Sequence, residues 1–230
     1  FWWMDLGGGW YDSSEIMREI MLIEKTAGTI RKIKHRSIAD TLLVVDENAL
    51  ASIKLGTPLH HINLLETIRE FNLTGCIVDV YRLADLENID LSQYRLIVNM
   101  NTFFLSSEKW KSIKEKIPAT TVVMWNYAPG VLANGFSIES ISDLTGFKLK
   151  ERDPEVNVKI IFDDLPDACW IFTSYDNPLP LLEILPDKSQ DVIGKYEDGH
   201  AALVIDNASV YCALPVLNAC HLRYIMQYAE

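Results

Sequence analysis

Thr41-Leu42-Leu43-Val44-Val45-Asp46-Glu47-Asn48 is the stretch on which the fold turns. Its apolar, β-branched run is strand-length, too short for a helix, and it leaves through polar residues that suit a strand exit. The same pattern returns at Cys76–Val80, Leu96–Met100 and Thr120–Trp125. Helical signals separate the runs. Thr57-Pro58 offers an N-cap and a first-turn proline, after which Leu64, Leu65, Ile68 and Phe71 line one face and Gly75 stops the helix. Ser106 or Ser107 caps a helix carrying Trp110, Ile113 and Ile117, and Ser137 caps a short one through Leu144 that ends at Gly146. Strands alternating with helices predict a mostly parallel sheet with helices on both faces.

Outward from this body the pattern changes. Val156–Phe162 and Trp170–Thr173 read as strands, and Asp198-Gly199 between Val192–Tyr196 and Ala201–Ile205 is a two-residue hairpin signal. Val210–Leu214 reads as a last strand. Pro215 then opens a final helix with Leu217, Cys220, Tyr224, Ile225 and Tyr228 toward the core. On the other side, Phe1–Leu6 reads as an apolar strand and Gly7-Gly8-Gly9 as a loop. Asp12 with Glu15 forms a capping box for a helix from about Ser13 to about Gly28, striped by Ile16, Ile20, Ile23 and Ala27. Residues 29–37 are basic and polar and read as a linker, dividing the chain into 1–37 and 38–230. The expected class is α/β: a flavodoxin-like, three-layer sandwich with a C-terminal antiparallel hairpin.

Composition removes several functions. With 21 Lys plus Arg against 32 Asp plus Glu, the net charge of −11 repels phosphate backbones, so nucleic acid is not an expected partner. No basic run suits a membrane surface, and the longest apolar runs are strand-length. The opening Phe1-Trp2-Trp3 reads as the interior of a longer protein, so the compartment stays unknown. Cys76, Cys169, Cys212 and Cys220 form no C-x-x-C pair and read as buried free thiols. The five histidines are scattered, and no metal-ligand spacing or cofactor motif emerges.

In an open α/β sheet ligands sit beyond the C-terminal strand ends. Those ends offer Asp46, Glu47, Asn99, Asn101, Asn126 and Tyr127. They read either as a polar crevice or as residues that simply suit turns. Gly7-Gly8-Gly9 lies between strand and helix but fits neither G-x-G-x-x-G nor G-K-[ST]. The strand Ile97-Val98-Asn99 ends without an aspartate to phosphorylate. The turn Asn99-Met100-Asn101-Thr102 holds no cysteine or serine, Thr102 has no nearby base, and His200 lies between Gly199 and Ala201 with no His-x-Glu. No catalytic residues are assigned.

Several segments carry a resemblance. Phe1-Trp2-Trp3-Met4-Asp5-Leu6-Gly7-Gly8-Gly9-Trp10-Tyr11-Asp12 resembles the eighth strand and glycine loop of the (β/α)₈ barrel in glycoside hydrolases similar to the family 42 β-galactosidases. Trp125-Asn126-Tyr127-Ala128-Pro129-Gly130 resembles that family's W-x-Y-A-P-G turn, Asp143-Leu144-Thr145-Gly146 its L-T-G helix end, and Gly194-Lys195-Tyr196-Glu197-Asp198-Gly199 its G-x-Y-x-D-G hairpin. The resemblance implies that residues 1–37 are the terminal strand and helix of the barrel plus a linker. Residues 38–230 would be the trimerisation domain, similar to a class I glutamine amidotransferase without its cysteine. It implies a carbohydrate substrate for the intact parent, catalytic glutamates on earlier barrel strands, no cofactor, and a homo-oligomer. Trp2 or Trp3 would floor a sugar ring, one of the two facing inward, and Asp5 would bind a sugar hydroxyl or anchor the glycine loop. The other function class is an autonomous small-molecule- or sugar-binding domain that uses the strand-end crevice.

Overall fold

The computed structural model describes residues 13–34, 36–53, 59, 61–153, 157–171 and 180–229. The chain divides into two compact units, Phe1–Ser37 and Ile38–Glu230. In the first, helix α1 spans Ser14–Ile30. Its N-cap is Ser13, whose hydroxyl donates to the Glu15 carboxylate at 2.9 Å instead of accepting from the backbone. None of its residues is buried; Met21 is 66% exposed and Leu22 56%.

The second unit is built on one sheet. Strands β1 (Thr41–Val45), β2 (Val78–Arg82), β3 (Leu96–Asn99), β4 (Val122–Asn126) and β11 (Ser209–Cys212) run parallel in the order β2-β1-β3-β4-β11. This is the flavodoxin-like order, with the direction of winding reversing between β1 and β3. Both faces of β1, β3 and β4 are covered, which is why their sequences read as continuous apolar runs. On one face Leu42, Val44, Ile97, Val123 and Trp125 pack under α4 (Ser107–Lys114) and α5 (Ile138–Thr145) through Trp110, Ile113, Ile141 and Leu144. On the other, Leu43, Leu96, Val98 and Met124 meet α3 (Thr67–Thr74) and α6 (Ala219–Tyr228) through Phe71, Leu222 and Ile225. Three layers result.

Local chemistry sets the helix ends. Ser106 and Ser137 accept backbone N–H bonds from Lys109 and Ser140, both at 3.2 Å, capping α4 and α5. Gly75 and Gly146 end α3 and α5 in the left-handed conformation, where a side chain would cost energy. Two helix starts differ from expectation. Asp46-Glu47-Asn48 opens a short helix, α2 (Glu47–Ser52), because the Asp46 carboxylate accepts from the Asn48 N–H at 3.0 Å. The final helix starts at Ala219, not Pro215, because Asn218 caps it. That start buries His221, Leu222 and Ile225 and leaves Tyr224 and Tyr228 at 37% and 43% exposure. Before α3, a π-helical turn at His61–Glu66 inserts extra residues and rotates Leu65 off the apolar face, leaving it 55% exposed. The Thr57-Pro58 signal lies outside the described residues.

The antiparallel part is larger than a hairpin. Strands β9 (Asp191–Tyr196) and β10 (Ala201–Asp206) pair around Gly199, and β10 continues onto β11. Beyond β9 lie β6 (Asn157–Phe162) and β7 (Ala168–Ile171). A further pair, β5 (Leu149–Arg152) with β8 (Leu181–Ile184), joins β10.

Candidate functional site

The carboxyl ends of β1, β3 and β4 are where this strand order places ligands. Here the β1–β3 junction is closed by a side chain. The Asn101 amide accepts from the Asp46 N–H at 2.8 Å and donates to the Asp46 carbonyl at 3.0 Å. Both residues are buried, and this strap ties the exits of the two strands together. Glu47 is exposed and pairs with Arg82 at 3.5 Å, which in turn grips Asp85 at 2.7 Å.

The next exits are also buried. Asn126 donates to the Pro215 carbonyl at 2.7 Å, and the Thr67 hydroxyl reaches the same carbonyl at 3.3 Å. Tyr127 follows with φ 67°, a left-handed conformation that strains a bulky residue. Its backbone is clamped from β11: the Tyr127 N–H donates to the Cys212 carbonyl at 2.8 Å, and the Tyr211 hydroxyl donates to the Tyr127 carbonyl. Burial pushes the Tyr127 and Tyr211 phenols well above their ordinary range, so both remain protonated.

Several buried polar atoms at this edge lack a protein partner: both amide atoms of Asn63 and of Asn99, Asp46 Oδ2, Thr102 Oγ1 and Asn126 Oδ1. Asn63 was not anticipated from the sequence. Its only signal is a lone amide in the apolar run Ile62-Asn63-Leu64-Leu65, and the π turn carries it inward.

The arrangement does not assemble nucleophilic chemistry from the described residues. Cys212 lies in the core, where burial pushes its thiol up to about 12. Cys76 follows α3 and Cys220 sits in the first turn of α6, both partly buried. His221 stacks on Phe162 with centroids 4.2 Å apart, its Nε2 2.7 Å from the Pro166 carbonyl; burial lowers its pKa. His200 approaches Glu183 at 3.2 Å. Glu183 is also held by Arg152 at 3.0 Å and Lys150 at 3.7 Å, a network that joins β5, β8 and the hairpin. No group of three His, Cys, Asp or Glu among the described residues could hold a metal ion. Trp2, Trp3 and Asp5, the sequence candidates for sugar contact, lie outside the described residues.

Solved structures share this architecture. A catalytic mutant of a GH42 β-galactosidase from G. stearothermophilus superposes with a TM-score of 0.68 at 16% identity, over 95% of this chain and 34% of its own. The fold is that of part of a GH42 β-galactosidase. The β-galactosidase from Bacillus circulans sp. alkalophilus gives 0.67 at 12% identity, over 95% of this chain and 35% of its own. That from Rahnella sp. R3 gives 0.67 at 13%, over 94% and 35%. The chain therefore spans about a third of these glycoside hydrolases. No protein-family model matches, and no curated protein matches.

Proposed function

We propose that the chain is a non-catalytic accessory or oligomerisation portion of a glycoside hydrolase acting on β-glycosides. Residues 38–230 act as the trimerisation-type domain, and residues 1–37 contribute the last strand and helix of the (β/α)₈ barrel. The observation that carries this is the strap at the β1–β3 junction: Asn101 and Asp46 satisfy each other where a flavodoxin-like enzyme would keep an open crevice. The fold shared with about a third of the GH42 structures supports it, as do the exposed Met17, Met21 and Leu22 of α1, which suit a helix made to pack in a larger body. Glycoside cleavage needs two carboxyl groups flanking the bond, and these are assigned to the rest of the parent; from this chain Trp2 or Trp3 would floor a sugar ring, and Asp5 would bind a sugar hydroxyl or anchor the glycine loop.

Sedimentation velocity over a wide concentration range tests the oligomerisation role. A discrete assembly of several copies is expected; a single monomeric species throughout would overturn it. One observation favours the second reading, an autonomous domain binding a small molecule or sugar. The amides of Asn63 and Asn99 are buried with no protein partner at the strand-end edge, and such groups usually find one.

A further inference from the structure

The β1–β3 junction holds a buried carboxylate that no cationic side chain answers. Asp46 is 3% exposed and forms no ion pair among the described residues. Its Oδ1 accepts the Asn48 N–H at 3.0 Å, which orients the carboxylate without neutralising it, and its Oδ2 has no partner. Arg82, opposite Val45 on β2, is spent on Asp85 and Glu47. A buried charge is ordinarily paired or held against a metal ion, because stripping it of water is costly.

Further oxygens belong to the same strand exits. β1 and β3 run in register with Val44 opposite Asn99. Strand alternation turns Val44 and Asp46 to one face of the sheet and Ile97 and Asn99 to that same face, the one under α4 and α5. Asn99 is fully buried, and neither polar atom of its amide has a partner. Thr102 follows Asn101, whose side chain is strapped to the Asp46 backbone, and its hydroxyl is likewise buried and unpartnered. A carboxylate, an amide carbonyl and a hydroxyl are hard oxygen donors, the kind that bind alkali and alkaline-earth ions. This set carries one negative charge. One positive charge neutralises it, whereas a divalent ion would leave a net charge buried. The Asn101 strap closes the junction, which suits an ion better than an organic ligand.

We propose that Asp46 Oδ2, Asn99 Oδ1 and Thr102 Oγ1 hold a monovalent alkali cation at the β1–β3 junction. The site does not depend on the oligomerisation role.

The test is thermal unfolding of the full chain, followed by circular dichroism, in sodium, potassium or choline chloride at about 150 mM. Choline is too bulky for the junction and matches the ionic strength. An ion that binds only the folded chain raises the midpoint by mass action; at about a hundredfold above its dissociation constant the rise is about 5 °C or more for a chain of this length. The expected result is such a rise, saturating with concentration, in sodium or potassium chloride over choline chloride. Asp46→Asn keeps the cap on α2 but loses the charge, and it should unfold at one midpoint in all three salts. Thr102→Val should raise the half-saturating concentration about fivefold. Equal wild-type midpoints in the three salts overturn the proposal. So does a salt dependence that Asp46→Asn retains, or, if that variant does not fold, one that Thr102→Val leaves unchanged. Stabilisation by calcium or magnesium chloride with none by the alkali salts overturns it as well.

Discussion

Asn101→Ala removes the strap between β1 and β3 and leaves its partners where water cannot reach them. The Asp46 N–H loses an acceptor at 2.8 Å and the Asp46 carbonyl loses a donor at 3.0 Å, while Asp46 itself is only 3% exposed. Each buried group left without a partner costs about 1–3 kcal/mol, so together they predict a loss of about 2–6 kcal/mol. That is a large share of the roughly 5–15 kcal/mol that holds a domain folded. The strap also anchors the start of α2, since the Asp46 carboxylate caps it. The assay is urea unfolding at 25 °C followed by circular dichroism, with the wild-type slope retained. Asn101→Asp sharpens the test, because it keeps an acceptor for the Asp46 N–H but turns a charge toward the Asp46 carbonyl. Burial and that repulsion raise the new carboxyl's folded pKa above its unfolded value. The native state therefore binds the extra proton, and the variant loses stability as pH rises through and above the unfolded carboxylate pKa of about 4. A loss below about 0.5 kcal/mol for Asn101→Ala would refute the reasoning, since two desolvated backbone groups could not then be depending on this side chain.

Other expectations concern the same edge and its supports. Tyr211→Phe orphans the buried Tyr127 carbonyl and should cost about 1–3 kcal/mol, read as a lowered thermal midpoint. Gly130→Ala should destabilise by more than about 1 kcal/mol: its φ is +75°, and an added Cβ would lie 2.8 Å from Leu144 Cδ2 and 3.0 Å from the Leu105 carbonyl. Cys212, with a thiol near 12, should resist alkylation at pH 8 in the native chain and react only on unfolding. Because its folded pKa lies above the ordinary value of 9.0, the unfolded chain loses this proton first, so its contribution to stability falls as pH rises from about 9 toward 12; Cys212→Ala should flatten that part of the profile.

The parallel half of the fold was legible because its strands are buried on both sides and advertise themselves as uninterrupted apolar runs. β1 matches its predicted bounds, and the serine caps of α4 and α5 and the closing glycines of α3 and α5 are where their chemistry requires. β5 and β8 were not legible. Leu149-Lys150-Glu151-Arg152 is polar because its strand lies off the main sheet path, and Leu181–Ile184 follows a proline-rich stretch that reads as loop. Pro215, a common first-turn residue, signals an earlier start for the final helix than the one observed, and the decisive group is the Asn218 side chain three residues on. At the strand ends, sequence named Asp46, Asn101 and Asn126 but could not say whether they faced a ligand or one another. Their partners are the backbone of Asp46 and the carbonyl of Pro215, groups that every residue carries and no pattern reveals.

The most direct test of a non-catalytic chain is its hydrolysis of chromogenic aryl β-galactosides after repeated purification. Turnover no greater than a buffer blank is expected, because Asp46 and Asn101 are bonded to each other at the β1–β3 junction where an open crevice would lie. Turnover that copurifies with the chain, and is abolished by substituting one of its own carboxylates, would contradict it.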